Sequence, residues 1–380
     1  MDTKINPIQL DRKVEDLNAF KSRFMVNEVI DVYEELLEEI FLIRNPRFKF
    51  APDHTEEFRQ YKEEYLAGRS MEEDGEWFYF PFTKNVIHYL PDAMHQELRT
   101  ARNRNIITKE EQEKFYNCKV AIAGLSVGSH PALTIAMMGG ARTLKIADFD
   151  EISVSNMNRL RYDCSALGKK KAHLVASHIL QLNPYADVHV YSEGITQENL
   201  DEFLDGVDVL IEEVDQLEMK IRLRVEAKKR KLPVLMATDN GDNIIMDVER
   251  YDLHPDLMIF NGVAGDLTIE EFQHLTPKDM PKLSTKIAGS DLVVPRMADS
   301  LLEVGRTLYS WPQLGDAATL CGVSLAYLVR RLANGQKITE GKMELNIEAV
   351  FDPEYMTDEA VKERKSRRDA FLKTIGLIAE

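Results

Sequence analysis

Cysteine is scarce in this chain. Cys118, Cys164 and Cys321 are the only three in 380 residues, and no Cys-x-x-Cys pair exists, which excludes the common structural zinc motif. Three scattered thiols suit a reducing compartment, so a cytoplasmic location is expected. Long apolar runs are also missing, and residues 1–14 are largely polar and charged, so neither a membrane span nor a signal peptide is expected. Positive charge is in deficit: 48 Lys and Arg face 64 Asp and Glu, a net charge of −16. That balance argues against nonspecific partnership with nucleic acid or an anionic membrane. The short basic strip at 228–231 reads as a solvated helix end. No internal repeat or low-complexity linker is present. What remains is 44% hydrophobic and 29% charged, ordinary for a globular protein of one large core or two domains.

The informative stretch runs from Lys119 to Lys171. Val120, Ala121, Ile122 and Ala123 form a short apolar run that breaks at Gly124-Leu125-Ser126-Val127-Gly128-Ser129, a strand followed by a tight turn. An apolar helix pattern from His130 to Met138 follows, with Pro131 in its first turn, and Gly139-Gly140 stops it. Backbone N–H groups at such a helix start make an anion cradle. A second strand, 143–147, delivers Asp148-Phe149-Asp150, completing a βαβ unit with acids where ribose hydroxyls are bound in nucleotide folds. The glycine signal alone is weak. Ser126 and Ser129 replace two glycines of the dinucleotide fingerprint, and Gly124 to Gly128 equally match a hydrolase nucleophile elbow centred on Ser126.

The downstream residues discriminate. Ser155-Asn156-Met157-Asn158-Arg159 is followed by Gly168-Lys169-Lys170-Lys171 and, after a helix and a strand over 207–211, by Glu212-Glu213-Val214-Asp215. In this order the elements resemble the ThiF/MoeB/HesA superfamily, the fold of ubiquitin-activating enzymes, over roughly residues 96–265. No hydrolase triad accounts for them.

The resemblance implies an ATP-dependent adenylyltransferase that activates a carboxylate. Arg159 is suited to fork onto phosphate oxygens and Lys171 to present a compact ammonium to the polyphosphate. Asp148 would take the ribose hydroxyls, and Asp215 would hold or orient Mg2+, a hard ion that prefers carboxylate oxygen. Gly124, Ser126, Gly128, Ser129, Asp150, Asn156 and Asn158 complete the expected ATP-binding set. Strand-end acids also serve as turn formers, and Lys171 lies in a lysine run that could be a solvated helix start. Before the glycine turn, Arg102 or Arg104 corresponds to the family's arginine that reaches the neighbouring protomer's ATP site, which implies a homodimer. The implied partner is a protein or peptide with a C-terminal carboxylate, or a small acid.

Departures from the family pattern are equally specific. Leu160 stands where Gln is usual, with Arg161 beside it to share the phosphate work. No cysteine lies between Cys164 and Cys321, so no thioester step is expected. Cys118 and Cys321 read as packed residues, and Cys164 as structural.

The expected fold is α/β, a Rossmann-like, mostly parallel sheet with flanking helices, plus an N-terminal α+β extension and a mixed C-terminal part. The expected domains are 1–95, 96–265 and 266–380. In the extension, 26–43 has helical periodicity ending near Asn45-Pro46, and the aromatics of 76–89 read as short strands covering the core. Beyond it, 233–251 reads as strands about a turn at 238–242, and 316–332 as a helix. His254 reads as a loop residue, and the tail from Thr357 as a docking helix or one packed on its own core. Two other readings stay open: a Rossmann protein binding NAD or FAD, and a noncatalytic nucleotide-binding subunit.

Overall fold

The computed structural model describes residues 5–378 apart from 13, 52, 266, 277 and 278. Residues 1–4 of the polar opening stretch lie outside the described residues. Two sheets organise the chain. The larger has seven strands: β5 (Val120–Ala123), β6 (Thr143–Ala147), β7 (Asp187–Tyr191), β8 (Val209–Glu212), β9 (Pro233–Asn240), β10 (Asn243–Arg250) and β11 (Gly341–Leu345). Their order is β11-β10-β9-β8-β5-β6-β7. The five strands from β9 to β7 are parallel, and β10 and β11 add an antiparallel margin. From β5 the chain winds outward through β6 and β7, then crosses back to β8 on the other side. That reversal is the topological switch point at which open α/β sheets bind ligands.

Both faces of this sheet are covered, because successive strand residues point to opposite sides. Val120 and Ile122 join a core with helices Ser129–Met137, Lys171–Leu182 and Gly315–Ala333. Ala121 and Ala123 join a second core with helix Leu217–Lys229. Helix Gly315–Ala333 lies against helix Ser129–Met137 so closely that a Cβ at Gly322 would sit 2.3 Å from the Cβ of His130.

The smaller sheet has the order β1-β3-β4-β2, with β1 (Ile8–Leu10), β2 (Glu28–Ile30), β3 (Glu76–Phe80) and β4 (Asn85–Tyr89). Here the helical reading of 26–43 needs correction. Residues 28–30 form a strand parallel to β4, and the helix is Tyr33–Arg44. The aromatics of β3 and β4 are packing groups. Trp77 and Tyr33 sandwich His88 at 4.2 and 4.0 Å, and Phe78 meets Tyr185 of the larger unit edge-on at 5.2 Å. At the other end, helix Asp358–Thr374 buries Phe371 and Leu372 against Met297 and Ala298. The tail therefore packs on its own chain. Among the described residues no helix is long and apolar enough to cross a membrane.

Candidate functional site

The turn after β5 is built around two obligatory glycines. Gly124 has φ +85°, and a Cβ there would lie 2.3 Å from the carbonyl oxygen of Glu213; at Gly128 it would lie 2.0 Å from the Gly124 oxygen. Larger residues are therefore excluded by strain and by clash. Asp148, at the end of β6, braces the turn from behind. Its Oδ2 accepts the Leu125 N–H at 2.6 Å and its Oδ1 the Asp150 N–H at 2.8 Å. Burial raises its pKa. Ser129 donates its hydroxyl to the Ser126 carbonyl at 2.9 Å, which ties the helix start to the turn.

A cationic arm faces that turn. Asn156 ends a 3-10 turn, Val154–Asn156, with its Oδ1 accepting the Ser153 N–H at 3.0 Å. Arg159 Nε donates to Ser126 Oγ at 3.3 Å, and its Nη1 donates to the Ser155 carbonyl at 3.1 Å and to Asn158 Oδ1 at 2.9 Å. Burial lowers the Arg159 pKa, against the attraction of Asp239 and Asp215. Lys171 opens helix Lys171–Leu182 with its side chain only 5% exposed, and its Nζ lies 2.8 Å from Asp150. Leu160 turns the other way, packing with Ile152 and Ala166. Where the family pattern has Gln, this position therefore serves a local apolar cluster. Arg161 is exposed and does not line the cavity.

An acidic arm closes the opposite side. Glu213 follows β8; its Oε1 accepts the Ala237 N–H at 2.8 Å, and burial pushes its carboxyl well above the ordinary range. Asp215 is exposed at the same end of the strand. Asp239 on β9 is 8% exposed, and burial pushes its carboxyl up to about 6, although Cys321 and Arg159 draw it down. The Cys321 thiol donates to Asp239 Oδ1 at 3.6 Å; burial raises its pKa far above the ordinary thiol value. Cys118 is buried and its thiol is likewise raised, to about 12. Cys164 is exposed.

A roof comes from the C-terminal part of the chain. Asn240 clamps it to β9, with Nδ2 donating to the Leu292 carbonyl and Oδ1 accepting the Val294 N–H, both at 2.9 Å. Lys342, on β11, donates to the Ile287 carbonyl and pairs with Asp247 at 2.9 Å. The Asn158 Nδ2 donates to the Gln313 carbonyl at 2.6 Å, linking the cationic arm to the roof.

Together these elements enclose a cavity of about 330 Å³ at the switch point. Ser126, Asp150, Asn156, Arg159, Lys171 and Asp215 line it. Gly124, Gly128, Ser129, Asp148 and Asn158 stand one layer behind, shaping the turn and anchoring the roof. Arg102 and Arg104 are exposed on the surface and do not line this cavity; Arg104 pairs with Glu97 at 2.8 Å. His254 is exposed, 3.1 Å from Glu340, outside the cavity. Sequence reasoning missed Glu213, Asp239 and Gln313 as cavity residues. The available signal was an acid at the end of each of two otherwise apolar strands, in Val-Leu-Ile-Glu-Glu and Met-Ala-Thr-Asp.

Residues 100–242 match the model of the ThiF family. An uncharacterized protein of Mycobacterium tuberculosis is 38% identical over 282 residues, covering 74% of this chain and 39% of that protein. A molybdopterin-synthase adenylyltransferase of Haemophilus influenzae is 28% identical over 145 residues, 37% of this chain and 59% of that enzyme. The chain thus spans less than two thirds of the length of either. Among solved structures, Escherichia coli tRNA N6-threonylcarbamoyladenosine dehydratase aligns with a TM-score of 0.47 at 17% identity, covering 65% of this chain and 97% of that one. Escherichia coli MccB with ATP aligns at 0.45 and 14% identity, covering 81% and 80%.

Proposed function

With residues 100–242 a ThiF-family domain, we propose that the cavity at its switch point is an ATP site and that the chain transfers AMP to a carboxylate. The observation that carries this reading is the convergence of Arg159, Lys171 and Asp215 on one cavity beside the glycine turn. A carboxylate oxygen attacks the α-phosphorus, the bond from that phosphorus to the bridging oxygen breaks, and pyrophosphate leaves. Arg159 and Lys171 offset the phosphate charge, and orientation within the cavity supplies much of the remaining rate enhancement. Asp148, which does not line the cavity, serves the site by fixing the glycine turn through the Leu125 and Asp150 N–H groups.

No cluster of three or more metal-ligating side chains exists among the described residues. Mg2+ still fits, because it is commonly held by one or two carboxylates together with substrate phosphates, and Asp215 lines the cavity as an exposed carboxylate. When bound, the ion neutralises polyphosphate charge. The activated group is a small acid or a protein or peptide C-terminus, with a separate nucleophile accepting the acyl group.

ATP–pyrophosphate exchange with pools of carboxylates tests the reading. Asp215→Ala should lower exchange on the order of a hundredfold or more, as loss of one charge-stabilising group does, with an unchanged circular dichroism spectrum. Unaltered exchange in that variant, or absent ATP binding with NAD bound instead, would sink the assignment. We further infer a homodimer in which Arg102 or Arg104 completes the partner's site. Mixing an Arg102→Ala, Arg104→Ala chain with a Lys171→Ala chain should restore part of the activity. No recovery would refute completion in trans.

A further inference from the structure

One wall of the cavity carries acid that carboxylate adenylation leaves unused. Asp239 is 92% buried, judged from its 8% exposure, yet its Oδ2 has no hydrogen-bond partner. Its Oδ1 receives the weak donor Cys321 Sγ, at 3.6 Å, and the Gln313 side chain, which also lines the cavity, lowers the carboxyl's pKa from beyond hydrogen-bond distance of Oδ2. Buried polar atoms in folded proteins are nearly always satisfied, so an orphaned carboxylate oxygen lining a cavity points to a missing donor. Glu213 lines the same wall and has one oxygen committed to the Ala237 N–H.

The chain's own cations are otherwise engaged. Lys220 places Nζ 3.0 and 3.1 Å from the two oxygens of Glu212 and attracts Glu213 from a distance without bonding it. Arg159 is the cation that attracts Asp239, and it is the same guanidinium assigned to phosphate. Once it forks onto ATP, Asp239 faces the cavity without a committed counter-charge, and Glu213 shares Lys220 with Glu212. Burying carboxylates in that state is costly unless a donor or cation arrives.

Building on the ATP-site reading, we propose that Asp239 and Glu213 form a subsite for an ammonium group carried a few bonds from the reacting carboxyl. The activated acid is then a small amino acid-like zwitterion rather than a peptide C-terminus. Nucleotide binding strengthens the subsite, because phosphate then competes for the Arg159 charge that otherwise attracts Asp239.

Thermal-shift titration of the full chain separates the possibilities. The first arm adds Mg2+ and α,β-methylene-ATP alone, which reads the ATP site by itself; no shift there removes that reading and the subsite with it. The second arm adds, in the presence of that nucleotide, each of the twenty common amino acids, their N-acetyl forms and their 2-hydroxy counterparts. At least one free amino acid should stabilise the protein. Its N-acetyl and hydroxy counterparts should bind on the order of tenfold or more weakly, as expected when one member of a buried charge pair is removed. Asp239→Asn and Glu213→Gln should each weaken the amino acid to a similar degree while leaving nucleotide affinity within about twofold, since neither is assigned a nucleotide contact. A normal nucleotide shift combined with no amino acid binding overturns the subsite alone. So does equal binding of the N-acetyl forms, or full retention in Asp239→Asn.

Discussion

Glu212 and Glu213 are adjacent in the chain, at the end of the same strand, and meet opposite electrostatic environments. Glu212 is fully buried, but Lys220 and Arg224 both pair with it, and Arg224 Nε reaches Glu249 at 2.6 Å. Burial would raise its pKa, yet the two cations lower it overall. The Glu249 carboxyl is raised by burial despite Arg224, and it accepts from the Tyr251 hydroxyl and the Phe260 N–H. Glu213 points to the cavity side, receives one backbone N–H and is pushed upward. The difference shows that burial sets the penalty and partners decide the outcome. A paired acid holds the wall together, whereas an underpaired acid beside a cavity is available for a ligand.

The largest test of that contrast is Arg224→Met. It leaves Glu249 without its cation and Glu212 with Lys220 alone, and removes a guanidinium stacked 4.1 Å from the Phe260 ring. Breaking a buried pair in this way should cost about 3–5 kcal/mol in denaturant unfolding. Arg222→Ala, on the same helix but at an exposed i,i+4 pair with Glu218, is the control and should cost less than about 1 kcal/mol. Equal losses would mean that the buried network is no more than another surface pair.

The contrast also marks what the sequence could reveal. The β5–turn–helix unit, β6, the β9–β10 hairpin and helix Gly315–Ala333 were readable because each is declared by its own local pattern of apolar spacing and breakers. Strand β2 was not, because residues 28–30 are held by pairing with Asn85, Val86 and Ile87 far along the chain, and local periodicity carries no record of that partner. Arg159, Lys171 and Asp215 were legible as a constellation through family spacing. The bracing of Leu125 and Asp150 by Asp148 depends on how two parallel strands end side by side. The acidic wall and its roof were hidden for the same reason. They join β8, β9 and residues 284–313, which come together only once the sheet is wound.

Asp239→Asn offers the subtler test, with a sign fixed by its environment. Burial raises the folded-state pKa from 3.8 to about 6, so the folded chain holds this proton through a range in which the unfolded chain has released it. The contribution of Asp239 to stability should therefore fall as pH rises from about 4 to about 6 and then level off; two pKa units at about 1.4 kcal/mol each give about 3 kcal/mol. Asn carries no proton to lose. Unfolding free energies from pH 4 to 8 should show the variant gaining on the parent across that interval and holding its advantage above it. Glu212, whose pKa is lowered, contributes with the opposite sign: its stabilisation is present at neutral pH and is lost on acidification. A difference between Asp239→Asn and the parent that stays flat with pH would show that partners in the fold fully offset the burial of Asp239, and one that slopes the other way would place it with Glu212; in either case the acidic wall would have no vacancy for a cation.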